Sequence, residues 1–297
     1  MPGIMADALP TWVPTGAFPS FTVPDLRLGK WYNRLTYRLL PLMTGSMFGG
    51  VVKQWRSETL KLSPRSRFGG ELTQIDGRPA PVLYSFSRHV LRPPADWPEH
   101  INVTGYWVLD ETHDWRPTPE LLNFLDAGPP PVFVGFGSMG GRDPARTTRL
   151  VLEALARAGQ RGLLVTGWGG LETEKPPENV FKVENVPYTW LFPRMAAVAH
   201  HGGAGTTGAG LQAGKPTVIC PFVADQPFWW RRVAALGAGP PQIPQRKLTV
   251  DNLASAIRQA ATDDRMQKRA ADPGEKIRAE DGAGRAASLI EKYAAER

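Results

Sequence analysis

The chain has 297 residues and a net charge of +7, and 42% of its residues are hydrophobic while 21% are charged. This composition is ordinary for a soluble globular protein, and the length allows two domains. Lysine and arginine are dispersed rather than clustered, so no nucleic-acid-binding segment is expected, and the basic balance favours anionic ligands only weakly.

Targeting and membrane-spanning segments are not expected. The first ten residues, MPGIMADALP, have neither a basic start nor an apolar core, unlike a signal peptide. No uninterrupted apolar run approaches the ~18 residues that a bilayer span requires. The single cysteine, Cys220, excludes an internal disulfide, and its apolar run TVIC indicates a core thiol rather than a nucleophile. We therefore expect a cytoplasmic protein.

The first 62 residues divide into a segment without periodicity and a segment with a helical pattern. Residues 1–29 are rich in proline and lack periodicity, so we predict an irregular segment. From Lys30 to Leu62 the pattern is helical, and we expect Pro41 and Gly49–Gly50 to break or bend it. Three interpretations of this segment stay open. We favour a helix packed on a sheet, and the alternatives are the wall of an acceptor pocket or a segment that lies on a membrane surface.

Two short strands and a linker follow. Pro81–Phe86 and Ile101–Val103 are apolar and predict buried strands. From Tyr106 to Pro131 the composition shifts to tryptophan, proline and charge, and we interpret His113 there as a solvated loop residue. A short helix, ELLNFLDAG, ends this segment. We predict a first domain over residues 1–108, a linker over 109–130 and a second domain over 131–297.

The second domain shows a regular alternation of strands and helices, which predicts a parallel sheet covered on both faces. Proline at the start and glycine past the end mark the first helix, and Thr249 is expected to cap a later one. The predicted strands are 132–138, 162–167, 179–183, 196–201 and 217–222. The predicted helices are 144–158, one that opens near Thr206 and ends before Gly214, 226–236, 250–261, 264–280 and 284–296.

The stretch from His200 to Gln226 carries the chemistry. A buried strand is followed by HHGGAGTT and the start of a helix, and this combination is an anion site. Glycines allow close approach of a phosphate, and the free N–H groups and the helix dipole point toward it. We expect a diphosphate to be held by His201, by the N–H groups of Gly203, Ala204, Gly205 and Thr206, and by the Thr206 hydroxyl. Alternatively, the glycine-rich turn is only a packing device.

Polar residues after two neighbouring strands extend this prediction. Ser138 and Met139 lie at the carboxyl end of the first strand of the domain and could supply a hydroxyl and a backbone donor. Asp225 and Gln226 follow the strand that contains Cys220, where polar groups suit sugar hydroxyls. Asp225 could also cap the following helix, and the two roles can coexist. We expect His200 to orient the loop rather than to touch a ligand.

These residues also carry a family resemblance. The strings HHGGAGTT and AGKPTVICPFVADQPFW resemble the donor-binding signature of nucleotide-sugar glycosyltransferases, and most of all the sterol glucosyltransferase and glycopeptide glycosyltransferase branch. GFGSM (Gly135–Met139), GWGGL (Gly167–Leu171) and NVPYTWLFPRM (Asn185–Met195) match the same branch in the same order. The resemblance adds Gly137, Trp168 and the backbone of Val186 as expected nucleotide contacts. A core aromatic is the alternative role of Trp168.

The resemblance implies a GT-B type α/β fold, with two Rossmann-like domains that each contain a parallel sheet. No strand, glycine-rich turn and helix opening precedes Trp31. We therefore expect the N-terminal domain to be incomplete, because family members carry further residues there, including the group that deprotonates the acceptor hydroxyl. We name no catalytic base in this chain.

The implied function is transfer of a hexose, with inversion, from a nucleotide sugar such as UDP-glucose to a hydroxyl of a sterol-like or other lipophilic acceptor. We find neither an Asp-x-Asp motif nor a Cys/His cluster, so we expect an enzyme without metal or cofactor, in which the UDP-sugar is a substrate. Weak peripheral membrane contact is compatible with such an acceptor. Two alternatives stay open: a module that binds nucleotide sugar without turnover, and a natural-product glycosyltransferase that uses a dTDP-sugar.

Overall fold

A computed structural model describes residues 4–21, 23–62, 74–75, 78–109, 115–137, 143–165, 171 and 175–295. The chain forms two compact units. Unit 1 comprises Met1–Arg88, Arg92–Gly105 and Gly282–Arg297, and unit 2 comprises His89–Leu91 and Tyr106–Asp281. The domain boundaries proposed from composition stay a prediction. Within the described ranges, no helix combines the length and the apolar character needed to cross a membrane.

Short strands and helices alternate along most of the described chain. The first half contains β1 (Met5–Asp7), α1 (Lys30–Thr36), α2 (Leu39–Glu58), β2 (Gln74–Ile75), β3 (Arg78–Pro79), β4 (Val82–Tyr84), β5 (Ile101–Val103), α3 (Pro119–Asp126), β6 (Val132–Gly135) and α4 (Pro144–Ala158). The second half contains β7 (Gly162–Val165), β8 (Val180–Val183), α5 (Tyr188–Leu191), β9 (Ala197–His200), α6 (Ala204–Gln212), β10 (Thr217–Ile219), α7 (Gln226–Leu236), α8 (Val250–Thr262), α9 (Asp264–Arg278) and α10 (Gly282–Ala295). Two 3₁₀ turns lie at Phe192–Arg194 and Gln245–Lys247.

Unit 1 contains a parallel sheet in the order β1-β4-β5. The predicted strands β4 and β5 are confirmed, and Val82 pairs with Ile101. The prediction that residues 1–29 are entirely irregular is wrong, because β1 pairs with β4 at the sheet edge. Three residues are too few to show an alternating pattern, and the Asp7 carboxylate ends the strand by accepting a hydrogen bond from the Leu9 N–H at 2.9 Å.

The helical segment of unit 1 differs from the prediction in two ways. It breaks once, between α1 and α2, and continues through Pro41 and Gly49–Gly50. Proline is tolerated there because it is the third residue of α2, where the N–H has no intrahelical acceptor. For α2 the favoured interpretation, packing on a sheet, is also wrong, because none of the α2 side chains that the structure describes is buried, whereas α1 buries Asn33 and Thr36.

Unit 2 contains a five-stranded parallel sheet in the order β10-β9-β6-β7-β8. Both of its faces are covered, as predicted. On one face, Val132 and Val134 of β6 pack with residues of α4 and α8. On the other face, Phe133 packs with Leu121 of α3 and with Phe192. Residues of a strand alternate between faces, so one apolar run supplies both cores.

Helix boundaries in unit 2 follow their capping residues. The Asp143 carboxylate accepts a hydrogen bond from the Arg146 N–H at 2.8 Å and starts α4, which ends at Gly159 in the left-handed conformation. Thr249 forms a capping box with Asn252 at the start of α8, as predicted. Helix α6 opens at Ala204, two residues before the predicted start near Thr206, because Gly203 takes the cap position.

Close helix packing generates the first testable prediction. A Cβ built on Gly274 of α9 would lie 2.6 Å from Gly214 Cα and 2.8 Å from the Leu211 carbonyl oxygen, both backbone atoms that cannot rotate away. We expect Gly274→Ala to lower the free energy of unfolding by about 1–3 kcal/mol, measured by urea denaturation. The matched change Gly49→Ala, in open space within α2, should raise it by about 0.5–1 kcal/mol. Equal behaviour of the two variants would contradict this packing.

Candidate functional site

The candidate site lies where the strand order of the unit 2 sheet reverses. From β6 the sheet continues to β7 and β8 on one side and to β9 and β10 on the other. Gly135, at the carboxyl end of β6, pairs with His200, at the carboxyl end of β9. Beyond them, a Cβ built on Gly137 would lie 3.4 Å from His201 Cε1, so the chains that leave the two strands are in contact. Ligands of open parallel sheets bind at such a reversal.

His200 fixes the turn that begins the site. It is fully buried, and its Nδ1 accepts a hydrogen bond from the Gly202 N–H at 2.9 Å. Burial, together with the neighbouring His201, lowers the pKa of His200 to about 3, so the ring is neutral and carries its proton on Nε2. Among the described residues that Nε2 has no hydrogen-bond partner. His200 thus orients the loop, which is the role proposed from sequence.

Gly202 makes the turn possible. Its φ of 98° lies in the region that favours glycine. A Cβ there would also lie 2.6 Å from Ile219 Cγ2 and 3.3 Å from Gln226 Cβ. Conformation and packing therefore both require glycine at this position, and the turn directs the chain from β9 into α6.

The N-terminus of α6 supplies the backbone donors. Gly203 occupies the cap position, and no side chain caps the helix. The first intrahelical bond runs from the Thr207 N–H to the Gly203 carbonyl oxygen at 3.0 Å, so the N–H groups of Ala204, Gly205 and Thr206 have no acceptor within the helix. These N–H groups and the helix dipole favour an anion at this point.

His201 lies directly over that helix end. A Cβ built on Gly203 would lie 2.7 Å from His201 Nε2, so only glycine leaves room for the ring. Burial lowers the pKa of His201, and the charge of Asp225 opposes the change. Its Nδ1 is buried and has no hydrogen-bond partner within the described part of the chain. The predicted diphosphate residues are thus brought together around one helix terminus.

Asp225 reaches the same helix terminus from the loop after β10. Burial raises the pKa of its carboxyl group, and the nearby polar groups of Trp229 and Ala204, together with the charge of His201, oppose the rise. Asp225 precedes α7 at the cap position, yet its side chain makes no capping bond. The carboxylate therefore lies near His201 and α6, which is compatible with the predicted sugar contact, and the predicted helix cap is not formed.

Gln226 braces the same loop. Its side chain is buried, and its Oε1 accepts hydrogen bonds from the N–H groups of Phe222 and Val223 at 2.6 and 3.1 Å. Within this loop Ala224 adopts a φ of 61°, which is rare for a residue with a Cβ. The amide oxygen of Gln226 is thus committed to the backbone of residues 222–223, and the predicted sugar contact would use the other end of the amide.

The remaining predicted contacts have different positions. The Val186 side chain is buried in the core beside Leu163 and Leu191, so only its backbone could serve a ligand. Ser138, Met139 and Trp168 lie outside the described residues, as does His113. Cys220 is fully buried, and burial raises its thiol pKa to about 12, as expected for a core thiol. Within the described ranges, no three His, Cys, Asp or Glu side chains are grouped to hold a metal.

One residue near α6 was missed by sequence reasoning. A Cβ built on Gly208 would lie 2.5 Å from Tyr106 Cε1, so the aromatic ring lies flush against the second turn of the helix. Burial of the Tyr106 hydroxyl, with the charge of Glu280 beside it, raises its pKa well above the usual range. No local pattern links Tyr106 to a glycine about a hundred residues away, and only the fold reveals this contact.

The buried histidine generates a pH-dependent prediction. An unfolded histidine has a pKa of about 6.5, so between about pH 7 and pH 5 the unfolded chain binds a proton at this position, whereas folded His200 stays neutral. This residue should therefore lower the free energy of unfolding by about 2 kcal/mol over that range. His200→Asn keeps an oxygen for the Gly202 N–H but does not titrate. We expect urea denaturation to show a correspondingly smaller loss for the variant, and equal losses would contradict a neutral His200.

Comparison with known proteins matches this geometry to a family. Residues 167–286 match the family model described as "Erythromycin biosynthesis protein CIII-like, C-terminal domain". A sterol 3-beta-glucosyltransferase of Arabidopsis thaliana is 39% identical over 95% of this chain and 44% of its own length. A sterol 3-beta-glucosyltransferase of Yarrowia lipolytica is 41% identical over a region that covers 91% of this chain and 19% of the length of that protein. The chain thus spans less than half the length of these curated relatives.

Solved structures show the fold. The glycotransferase of kitacinnamycin matches this chain with a TM-score of 0.61 and 23% identity. The matched region covers 84% of this chain and 66% of that protein. An Arabidopsis thaliana protein solved in complex with UDP-L-rhamnose has a TM-score of 0.57 at 17% identity, over 71% of this chain and 58% of its own. The predicted GT-B type α/β fold with parallel sheets is confirmed. Residues 167–286 therefore resemble the erythromycin biosynthesis protein CIII-like C-terminal domain, and over nearly all its length the chain is similar to sterol 3-beta-glucosyltransferases.

Proposed function

We propose that this chain binds a nucleotide sugar and supports transfer of its hexose, with inversion, to the hydroxyl of a sterol-like lipophilic acceptor. UDP-glucose is the proposed donor. The main observation in support is that His201, the N-terminus of α6 and Asp225 come together at the reversal point of the unit 2 sheet. The similarity to sterol 3-beta-glucosyltransferases supports both the glucosyl donor and the sterol acceptor.

The diphosphate is assigned to the N-terminus of α6. In transfer with inversion, an acceptor oxygen attacks the anomeric carbon while the bond to the diphosphate breaks, and negative charge develops on the leaving group. The N–H groups of Gly205 and Thr206, the helix dipole and His201 are already in place before that charge develops, so they need little reorganisation. Binding of the anion should also raise the pKa of His201, since an opposite charge favours the imidazolium form.

The sugar is assigned to Asp225. Its carboxylate lies near His201 and the α6 terminus, so it would hold the sugar beside the diphosphate. Gln226 fixes the loop that carries Asp225. The base of the nucleotide is assigned to Trp168 and to the backbone of Val186 by family resemblance alone. The group that deprotonates the acceptor is not assigned to this chain.

A dTDP-sugar is the alternative donor. This reading is favoured by the match to an erythromycin biosynthesis family and by the likeness to the kitacinnamycin glycotransferase and to CalG4, the calicheamicin glycosyltransferase. Competition between UDP and dTDP for the same site separates the two donors, because the tighter nucleotide identifies the base that the site prefers.

The assignment of the diphosphate to α6 predicts a steric effect on binding. In Gly203→Ala the new Cβ would meet His201 Nε2 at 2.7 Å and push the ring from the helix end. We expect UDP affinity, measured by calorimetric titration, to fall at least about tenfold, which corresponds to about 1.4 kcal/mol. Gly49→Ala, in open space on α2, should bind like the unmodified chain. Unchanged UDP affinity in Gly203→Ala would contradict the assignment of the diphosphate to the N-terminus of α6.

Turnover is tested separately. The purified chain is incubated with UDP-glucose and a panel of sterols and polyketides, beside His201→Ala. Loss of one hydrogen bond to a charged diphosphate costs about 1.5–3 kcal/mol, so we expect UDP affinity in His201→Ala to fall about 10- to 150-fold and transfer to fall with it. UDP binding without transfer to any acceptor would favour a module that binds nucleotide sugar without turnover. Absence of UDP binding would contradict the proposed function.

A further inference from the structure

Helix α6 is held in different ways at its two ends. At the C-terminal end, a Cβ built on Gly274 of α9 would lie 2.6 Å from Gly214 Cα, so the two backbones approach each other closely. Arg278 of α9 also donates a hydrogen bond from Nη1 to the Gln212 carbonyl oxygen at 2.6 Å. Close contact between backbones cannot relax by rotation of a side chain, so this end of α6 has a fixed position on α9.

An aromatic ring packs against the N-terminal half of α6. A Cβ built on Gly208 would lie 2.5 Å from Cε1, 2.8 Å from Cδ1 and 2.9 Å from Cζ of Tyr106, so the ring occupies the space that a side chain would take. In a helix the Cα–Cβ bond leans toward the N-terminus, so the ring lies on the side of Gly208 that faces the first turn. That turn begins at Ala204 and carries the N–H groups assigned to the diphosphate.

The ring of Tyr106, rather than its hydroxyl, makes this contact. The hydroxyl is buried and has no hydrogen-bond partner among the residues that the structure describes. Burial and the charge of Glu280 raise its pKa, so the side chain stays neutral at physiological pH. Tyr106 therefore acts on α6 through the shape of its ring.

The first turn of α6 also has an open side. A Cβ built on Gly205, three residues before Gly208, would meet no atom of the described chain within 4 Å. The turn is thus supported by the Tyr106 ring on one side, while the other side has room for a ligand. A change in the ring would displace the turn, because the C-terminal end of the helix stays fixed on α9.

We propose that Tyr106 is a positioning residue of the donor site, and that its ring determines where the first turn of α6 presents its N–H groups. This inference rests on the proposed function, because the diphosphate at the α6 N-terminus is the ligand that the ring would help to position. Hydrogen bonds weaken steeply when distance and angle depart from their optimum, so a small shift of the turn lowers affinity without unfolding the chain.

Calorimetric titration of UDP into the full chain and its Tyr106 variants tests this role. We expect Tyr106→Ala to lower UDP affinity at least about tenfold, because the first turn loses the ring that supports it. Tyr106→Phe keeps the ring and should bind UDP within about twofold of the unmodified chain. The titration reports stoichiometry separately from affinity, so a loss of folded protein is not mistaken for weaker binding.

A second aromatic ring of unit 2 provides the matched control. Phe181 of β8 packs against Phe124 of α3, with 5.3 Å between the ring centroids. Phe181→Ala removes a ring of similar size at the far edge of the sheet from β10. We expect this variant to lose stability but to bind UDP within about twofold of the unmodified chain.

Gly208→Ala tests the same contact from the side of the helix, and it decides the question even if Tyr106→Ala does not fold. In the unmodified chain the new Cβ would collide with the Tyr106 ring, so we expect UDP affinity to fall at least about tenfold. In the Tyr106→Ala background the collision is absent, and Gly208→Ala should change affinity by less than about twofold. General destabilisation of the chain would not produce this non-additivity.

Two results would overturn the positioning role while leaving the proposed function in place. The first is UDP affinity in Tyr106→Ala or Gly208→Ala equal to that of the unmodified chain. The second is an equal loss in Tyr106→Phe and Tyr106→Ala, which would assign the effect to the hydroxyl. Absence of UDP binding in the unmodified chain would overturn the proposed function, and this inference with it.

Discussion

The hydrogen bond from the Gly202 N–H to His200 Nδ1 is the interaction on which the site depends. It closes the turn at the end of β9, and the same turn places the His201 ring over the start of α6. A charged His200 could not accept this bond, so burial, which keeps the ring neutral, is part of the design. The protonation state of His200 and the geometry of the turn at Gly202 are thus coupled.

Glycines around this turn are each required by a different neighbour. Gly202 is required by its φ and by Ile219, Gly203 by the His201 ring and Gly208 by Tyr106. Such close packing lets backbone N–H groups reach a ligand without side chains between them. It also explains how a helix with no side-chain cap can end in a site for an anion, since the groups left unpaired by the helix are the groups that the ligand would pair.

The two units present different kinds of surface. In unit 2, apolar residues of the strands and of several helices form two buried clusters, and both faces of the sheet are covered. In unit 1, the apolar residues of α2 have the same spacing, but the described α2 side chains, apolar and polar alike, are not buried. Periodicity alone therefore predicts a helix correctly while leaving open what that helix packs against.

Sequence alone determined the elements whose signals are local. Capping residues and glycines bounded α4, α7 and α8, and the strand, glycine and helix order located the candidate anion site at His201 and α6. Tertiary structure decided what depends on distant partners. The edge strand β1 forms only by pairing with β4, Asp225 faces the α6 terminus rather than capping α7, and α2 is exposed rather than packed. These outcomes are set by contacts between residues far apart in the chain, which no local pattern encodes.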